Sequence, residues 1–280
     1  MHPAFQNVAE LNSNTMDMLH AILLALVQGL TEFLPVSSQA HLVLYALVTG
    51  QDYQGINFDI ILHFGSLFAV VSYFRKELFL MASAWFQSIK GASLSEEGRL
   101  AWLIVGATLP AGILGLLFKD LAEVVFRSPI VMASALIGFG LCLGLADWRY
   151  RGERDEYSLR WRDAIIIGFA QALALIPGTS RSGITITAGL FLGMSREAAT
   201  RFSFLLSIPI IGAAGLLSTI DVLQSGQTID LGPLIIGFIV AVIATYACIH
   251  YFLAFIRRIG MQPFVAYRVI LGGLLLLFYL

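Results

Sequence analysis

Apolar residues dominate this chain in long runs, and the polar residues between them fall in a repeating order. Six runs reach the length of about 20 residues that a helix needs to cross a bilayer. They lie near 57–74, 100–118, 129–147, 202–220, 232–255 and 263–280. Four others, 18–34, 38–50, 162–176 and 182–194, are too short to cross alone. Each short pair is joined by a proline-containing polar knot, PVSSQA at 35–40 and PGTSRSG at 177–183. Apolar pairs broken in this way predict re-entrant hairpins that enter the membrane and return to their own side.

The two halves resemble each other. AILLALVQGLTEFLPVSS (21–38) lies over AIIIGFAQALALIPGTS (164–180) with one residue deleted, so that Gln28 meets Gln171, Pro35 meets Pro177 and Ser38 meets Ser180. FDIILHFG (58–65) falls over FSFLLSIP (202–209) at nearly the same offset. Each half then holds one hairpin and three crossings. Three is odd, so the second half enters the membrane inverted, and one knot descends from each face toward the midplane. The expected fold class is an all-α polytopic membrane protein of ten helical segments, an inverted repeat within a single membrane domain over 1–280. Repeat 1 covers about 18–148 and repeat 2 about 160–280, after a polar N-terminal segment at 1–17.

Composition agrees with the pattern. Of 280 residues, 58% are hydrophobic and 12% charged, with a mean hydropathy of +0.82, against roughly a quarter charged in soluble domains. A net charge of −1 gives no attraction to nucleic acid. Cys142 and Cys248 sit in apolar runs and are expected as buried free thiols. The first residues lack the basic start and small-residue site of a cleaved signal peptide.

Lysine and arginine set the orientation. One side holds Arg75, Lys76, Lys90, Arg99, five arginines between 149 and 162, Arg196, Arg201, Arg257 and Arg258; the other holds Lys119 and Arg127. The rich side is expected to be cytoplasmic, leaving both termini and the first hairpin's entrance outside. The mixed-charge loop 147–163 reads as a solvated connector.

Arg181 is the residue that most needs explaining. A cation at the bilayer centre costs at least about 2.5–3.5 kcal/mol on insertion scales, so a carboxylate or an anionic ligand must offset it. Gly178 and Gly183 permit close approach of the backbone. Thr179, Ser180, Ser182 and Thr185 supply hydroxyls, and a helix starting near Ser182 aims its N-terminus at the knot. Together these suit a phosphate; the plainer reading is a hairpin turn in which Arg181 pairs with Glu32. In the first knot Gln28 and Glu32 share a helix face, Ser37 and Ser38 fall at the next N-cap, and His41 lies one turn inside. Glu32, Ser38, His41 and Arg181 are the candidate catalytic set, with Gln28, Ser37 and the second-knot residues binding phosphate. Ser38 as a helix cap and His41 as a core histidine remain the alternatives. Arg268 is either a further phosphate contact or the partner of a buried acid, and His63 reads as paired with Asp59. No zinc cluster, P-loop or dinucleotide fingerprint is present. Glu32 is also the candidate ligand for a hard cation.

With these residues in view, QGLTEFLPVSSQAH (28–41) and PGTSRSGIT (177–185) resemble the two signatures of the bacterial undecaprenyl-diphosphate phosphatase, or bacitracin-resistance, family. The resemblance runs from about residue 18 to the end. It implies six crossings with two re-entrant hairpins, in the bacterial cytoplasmic membrane. It also implies removal of one phosphate from a C55 polyprenyl diphosphate, recycling the lipid carrier of cell-wall synthesis, with a divalent cation, Mg2+ or Ca2+. Glu32, His41 and Arg181 match the family's functional positions, supported by Gln28, Ser38, Ser180 and Thr185. Gln28 stands where the family often has Glu, and Gln39-Ala40 replaces a commoner Thr-Gly. The partners implied are the lipid substrate and the bilayer, with a homodimer left open. Water, Ser38 and His41 are the open choices of nucleophile. The alternative function is a polyprenyl-phosphate flippase or anion transporter, which shares the inverted architecture.

Overall fold

Runs of apolar residues with few breakers form helices wherever the backbone must satisfy itself without water, and the structure follows that rule throughout. It is a computed structural model that describes residues 18–50, 56–118, 128–149, 152–225 and 231–279. The polar segment 1–17 and the orientation markers Lys119, Arg127 and Arg151 lie outside the described residues.

The first hairpin is α1 (Met18–Thr31) and α2 (Ser38–Thr49). Then come α3 (Ile56–Tyr73), α4 (Arg75–Ile89), α5 (Glu96–Leu117) and α6 (Pro129–Arg149). The second hairpin is α7 (Trp161–Ala172) and α8 (Arg181–Phe191), followed by α9 (Arg196–Ser225), α10 (Leu231–Ile259) and α11 (Gln262–Tyr279). Among the described residues there is no β-strand, only an isolated bridge between Arg154 and Met194. α5, α6, α9, α10 and α11 are each long and apolar enough to cross a membrane. α3 meets the test jointly with α4, from which it is bent by 80°. The protein is a multi-pass membrane protein.

All ten expected segments are present, and α4 is an eleventh. Its charges at Arg75, Lys76 and Glu77 read as the end of a span, but helical geometry resumes after the single residue Phe74. Met81 is its buried contact; Phe79, Leu80, Phe86 and Ile89 are exposed.

Packing partners are duplicated between the halves. α1 lies on α10 as α7 lies on α5, and α3 lies on α10 as α9 lies on α5; α3 also meets α9, and α6 meets α11. Small residues let these backbones approach. A Cβ on Gly29 would stand 2.7 Å from the Ala244 methyl, and one on Gly168 would stand 2.5 Å from the Ala107 carbonyl.

The connector between the halves is not simply solvated. Glu156 and Leu159 are buried. Arg154 binds Asp163 at 2.6 Å and the Leu192 carbonyl at 2.8 Å. Arg201 is held between Glu77 and Glu156, each at 2.7 Å. The mixed charges of this loop satisfy each other across elements, which is why a reading from local composition alone misplaces it. Both cysteines are free; Cys248 is buried and donates to the Leu30 carbonyl, whereas Cys142 is on the exposed face of α6.

Candidate active site

The site is built where the two knots touch. Pro35 and Pro177 lie in the turns that follow α1 and α7, where the absent N–H and fixed φ halt a helix. In each knot the residue that caps the next helix is a serine with positive φ: Ser37 (φ 71, ψ 96) before α2 and Ser180 (φ 68, ψ 112) before α8. They are the only described non-glycine residues with positive φ, a conformation rare outside glycine and concentrated at functional sites. Ser37 and Ser180 share the offset that relates Gln28 to Gln171, so the repeat register needs no deletion there and only the prolines shift. Gly178 (φ 89) completes the second turn, where a Cβ would collide with the Met132 carbonyl.

Arg268 fastens the knots together. It is wholly buried on α11, and its guanidinium donates to the Pro35 carbonyl of the first knot at 3.2 Å and to Gly178 and Thr179 of the second at 3.1 and 2.8 Å. Two more bonds reach Leu136 and Ala135 on α6. The guanidinium is thus held by main-chain carbonyls and does not line the cavity. Ser182 adds a bond to the Leu34 carbonyl at 2.8 Å. Thr185 joins α8 to Ser203 of α9 at 2.7 Å.

These ties place the acid of one knot against the cation of the other. Glu32 Oε1 accepts from Arg181 Nη2 at 3.1 Å, and both side chains are largely buried. Glu32 Oε2 accepts from Ser38 Oγ at 2.7 Å and from Gln28 Nε2 at 2.9 Å. Arg181 also lies over the Phe33 ring and reaches toward the Ser203 carbonyl at 3.4 Å. The pair opens on a cavity of about 340 Å³. Among the sequence-proposed residues, Gln28, Glu32, Ser37, Ser38, Gly178, Ser180 and Arg181 line it.

Others are set back. Thr179, Ser182, Thr185 and Arg268 are buried behind the cavity wall. His41 is turned away on α2: Nδ1 donates to the Ser37 carbonyl at 2.7 Å, and Nε2 accepts from Tyr267 at 2.6 Å beneath a stacked ring. Sequence reasoning passed over His63 and Asp59 of α3, which do line the cavity. The signal available was their spacing of four, which places both on one helix face; it was read as a pair closed on itself. In fact His63 Nδ1 donates to the main-chain oxygen of Asp59, at 2.8 Å.

A second cavity of about 460 Å³ continues from Glu32, Asp59, His63 and Arg181 outward between α3 and α9. Its outer wall is apolar, with Ile60, Ile210, Ile211 and Ala214. The arrangement thus joins an anion-binding end to a path between helices.

The two knots, the acid, the guanidinium and the paired hydroxyl all fall inside residues 21–274, which match the family described as Bacitracin resistance protein BacA. A protein named undecaprenyl-diphosphatase from Nitrosococcus oceani is 51% identical over 265 residues, covering 95% of this chain and 99% of the relative. One named undecaprenyl-diphosphatase 2 from Stutzerimonas stutzeri is 53% identical over 267 residues, covering 94% and 99%. With the family match over 21–274 and relatives of this identity and extent, the chain belongs to the BacA, or bacitracin-resistance, family.

Proposed function

We propose that the protein is an integral membrane phosphatase that hydrolyses undecaprenyl, or another polyprenyl, diphosphate to the monophosphate and inorganic phosphate, returning the lipid carrier to cell-wall synthesis. The observation that carries this reading is Glu32 bridging Arg181 and Ser38 in one cavity. The names of the relatives support it.

Arg181 and the N-terminus of α8 bind the terminal phosphate and stabilise its charge during in-line displacement. Glu32 takes the proton of the attacking oxygen. Ser38 Oγ already donates to that carboxylate, which favours it over water or His41 as nucleophile. Its attack forms a phosphoserine as the lipid monophosphate leaves and takes the proton from Glu32; water then attacks the phosphoserine, losing its proton to the freed carboxylate, which returns it to Ser38 Oγ as inorganic phosphate departs. The isoprenoid tail leaves along the apolar wall between α3 and α9 and stays in lipid.

A divalent cation, Mg2+ or Ca2+, fits the donor set: two carboxylates, Glu32 and Asp59, line the cavity, and hard cations take few protein ligands beside phosphate oxygens. Those two residues would hold it, and it would neutralise charge on the diphosphate. The cavity opens to the outer face of a bacterial cytoplasmic membrane, with both termini outside.

The test is phosphate release from polyprenyl diphosphate by protein purified in detergent, where no second compartment exists for a transporter to fill. Glu32→Gln and Arg181→Ala each lower the rate by on the order of 10²-fold or more. Near-normal release by the Arg181→Ala protein refutes the assignment.

A further inference from the structure

The mechanism above gives no task to His63, although its imidazole reaches the cavity at a decisive place. His63 lines both the inner cavity and its outward continuation, as do Glu32, Asp59 and Arg181, so it belongs to the neck between the anion-binding end and the apolar groove and faces the acid and the guanidinium there from α3. Its side chain is 39% exposed. Nδ1 faces a carbonyl, the main-chain oxygen of Asp59, which can only accept; Nδ1 therefore carries a hydrogen and fixes the ring. Nε2 is left as the working atom. It lies 3.4 Å from the Gln28 amide nitrogen and 3.9 Å from Glu32 Oε2, both beyond the distance of a strong hydrogen bond.

The order of groups along the cavity assigns that atom a partner. Ser37, Ser38, Gly178 and Ser180 line the inner end only; Ile60, Ile210 and Ile211 line the outer end only. A lipid diphosphate with its terminal phosphate inside and its tail outside carries its lipid-side phosphate through the neck. We propose that His63 is a headgroup ligand: as an imidazolium, with a hydrogen on each ring nitrogen, it donates from Nε2 to the lipid-side phosphate while Arg181 holds the terminal one. The assignment rests on the hydrolase reading and extends it by giving each phosphate its own residue. His41 does not fill this place, because both of its ring nitrogens are engaged elsewhere.

Two measurements test it. His63→Leu fills the volume without a polar atom and raises KM for polyprenyl diphosphate about tenfold or more, the effect of losing a hydrogen bond to a charged group. His63→Gln, whose amide reaches the same region, brings KM back to within about threefold of wild type. Independently of turnover, inorganic diphosphate slows carbethoxylation of His63 by diethylpyrocarbonate, followed by mass spectrometry of the labelled peptide. An unchanged KM in His63→Leu, no recovery in His63→Gln, or equal labelling with and without diphosphate each overturns the assignment. Wild-type protein that protects His63 yet releases no phosphate sinks the hydrolase reading and leaves this one standing.

Discussion

Arg268 illustrates how a single side chain can organise a membrane site without touching its ligand. A guanidinium presents five N–H donors in a rigid fork, and here they meet carbonyls from both knots and from α6. Lysine offers a point charge with three donors and cannot span that set. Arg268→Lys should therefore lower the melting temperature in detergent and reduce kcat about tenfold or more, since small misplacements of reacting groups cost up to about 10²-fold. An unchanged melting temperature would show that the knots hold without this clamp. The strained serines give a second, contrasting expectation. Ser180 Oγ caps α8 by accepting from the Gly183 amide at 3.2 Å, whereas Ser37 makes no such cap. Ser37→Gly relieves a positive φ and leaves stability equal or higher. Ser180→Gly loses the cap, offsetting that relief, and Ser37→Val, β-branched at positive φ, destabilises. Thermal unfolding of the three variants decides the order. Residues at this scale were partly legible beforehand. Glu32 and Arg181 stood out because an unpaired charge inside a membrane demands a partner. Arg268 was singled out without its partners, because main-chain carbonyls leave no trace in residue types. Choosing between His41 and His63 depends on which helix face each presents to the cavity, and that is decided by long-range packing: Tyr267 of α11 holds His41, while α3 is set against α9 and α10.

Among the elements, α4 is the one the hydropathy pattern concealed. Its protein face is set by Met81 and Trp85, with Leu78 packed against the core, while Phe79, Phe86 and Ile89 point away. A helix bent 80° from α3, with an apolar exposed sector and Lys76 and Lys90 at its ends, suits the plane of the membrane interface. Tryptophan placed at Phe86 should be quenched more strongly by lipids brominated near the headgroup than by lipids brominated near the chain terminus. Stronger quenching from the deep label would put α4 elsewhere. The connector is held by a different force. Burial works against the Asp163 charge, yet hydrogen bonds from Arg154 and the Arg160 amide, with the charges of both arginines, keep its carboxyl below the usual aspartate range. A depressed pKa means the stabilisation is present above the unfolded value of about 3.9 and is lost only as pH falls through the folded value. The Arg154 clasp therefore stays closed at neutral pH. Arg154→Ala should lower the hydrogen-exchange protection factors in 152–160, by the same factor across pH about 6 to 8.

At the scale of the molecule, the scaffold is duplicated but the chemistry is not. Gln28 and Gln171 occupy matching places and both are buried, yet the position that holds Glu32 in the first half is Leu175 in the second, and Arg181 stands opposite Ser38. One knot supplies the acid and hydroxyl, the other the cation, so a single site forms where two equivalent elbows meet. That division is productive only if the elbows enter from opposite faces. Three crossings per half would require the inversion, and the lysine and arginine distribution gives the expectation of which face is which. The arrangement makes a labelling prediction. With Cys142 and Cys248 replaced by serine, a cysteine at Thr49, at the exposed end of α2, should react with a membrane-impermeant maleimide added outside intact cells. A cysteine at Ala92, exposed between α4 and α5 on the arginine-rich side, should react only after the membrane is opened. The reverse pattern would turn the cavity toward the cytoplasm and make the substrate a lipid of the inner leaflet, whereas labelling of both positions from one side would deny the inversion on which the shared site depends.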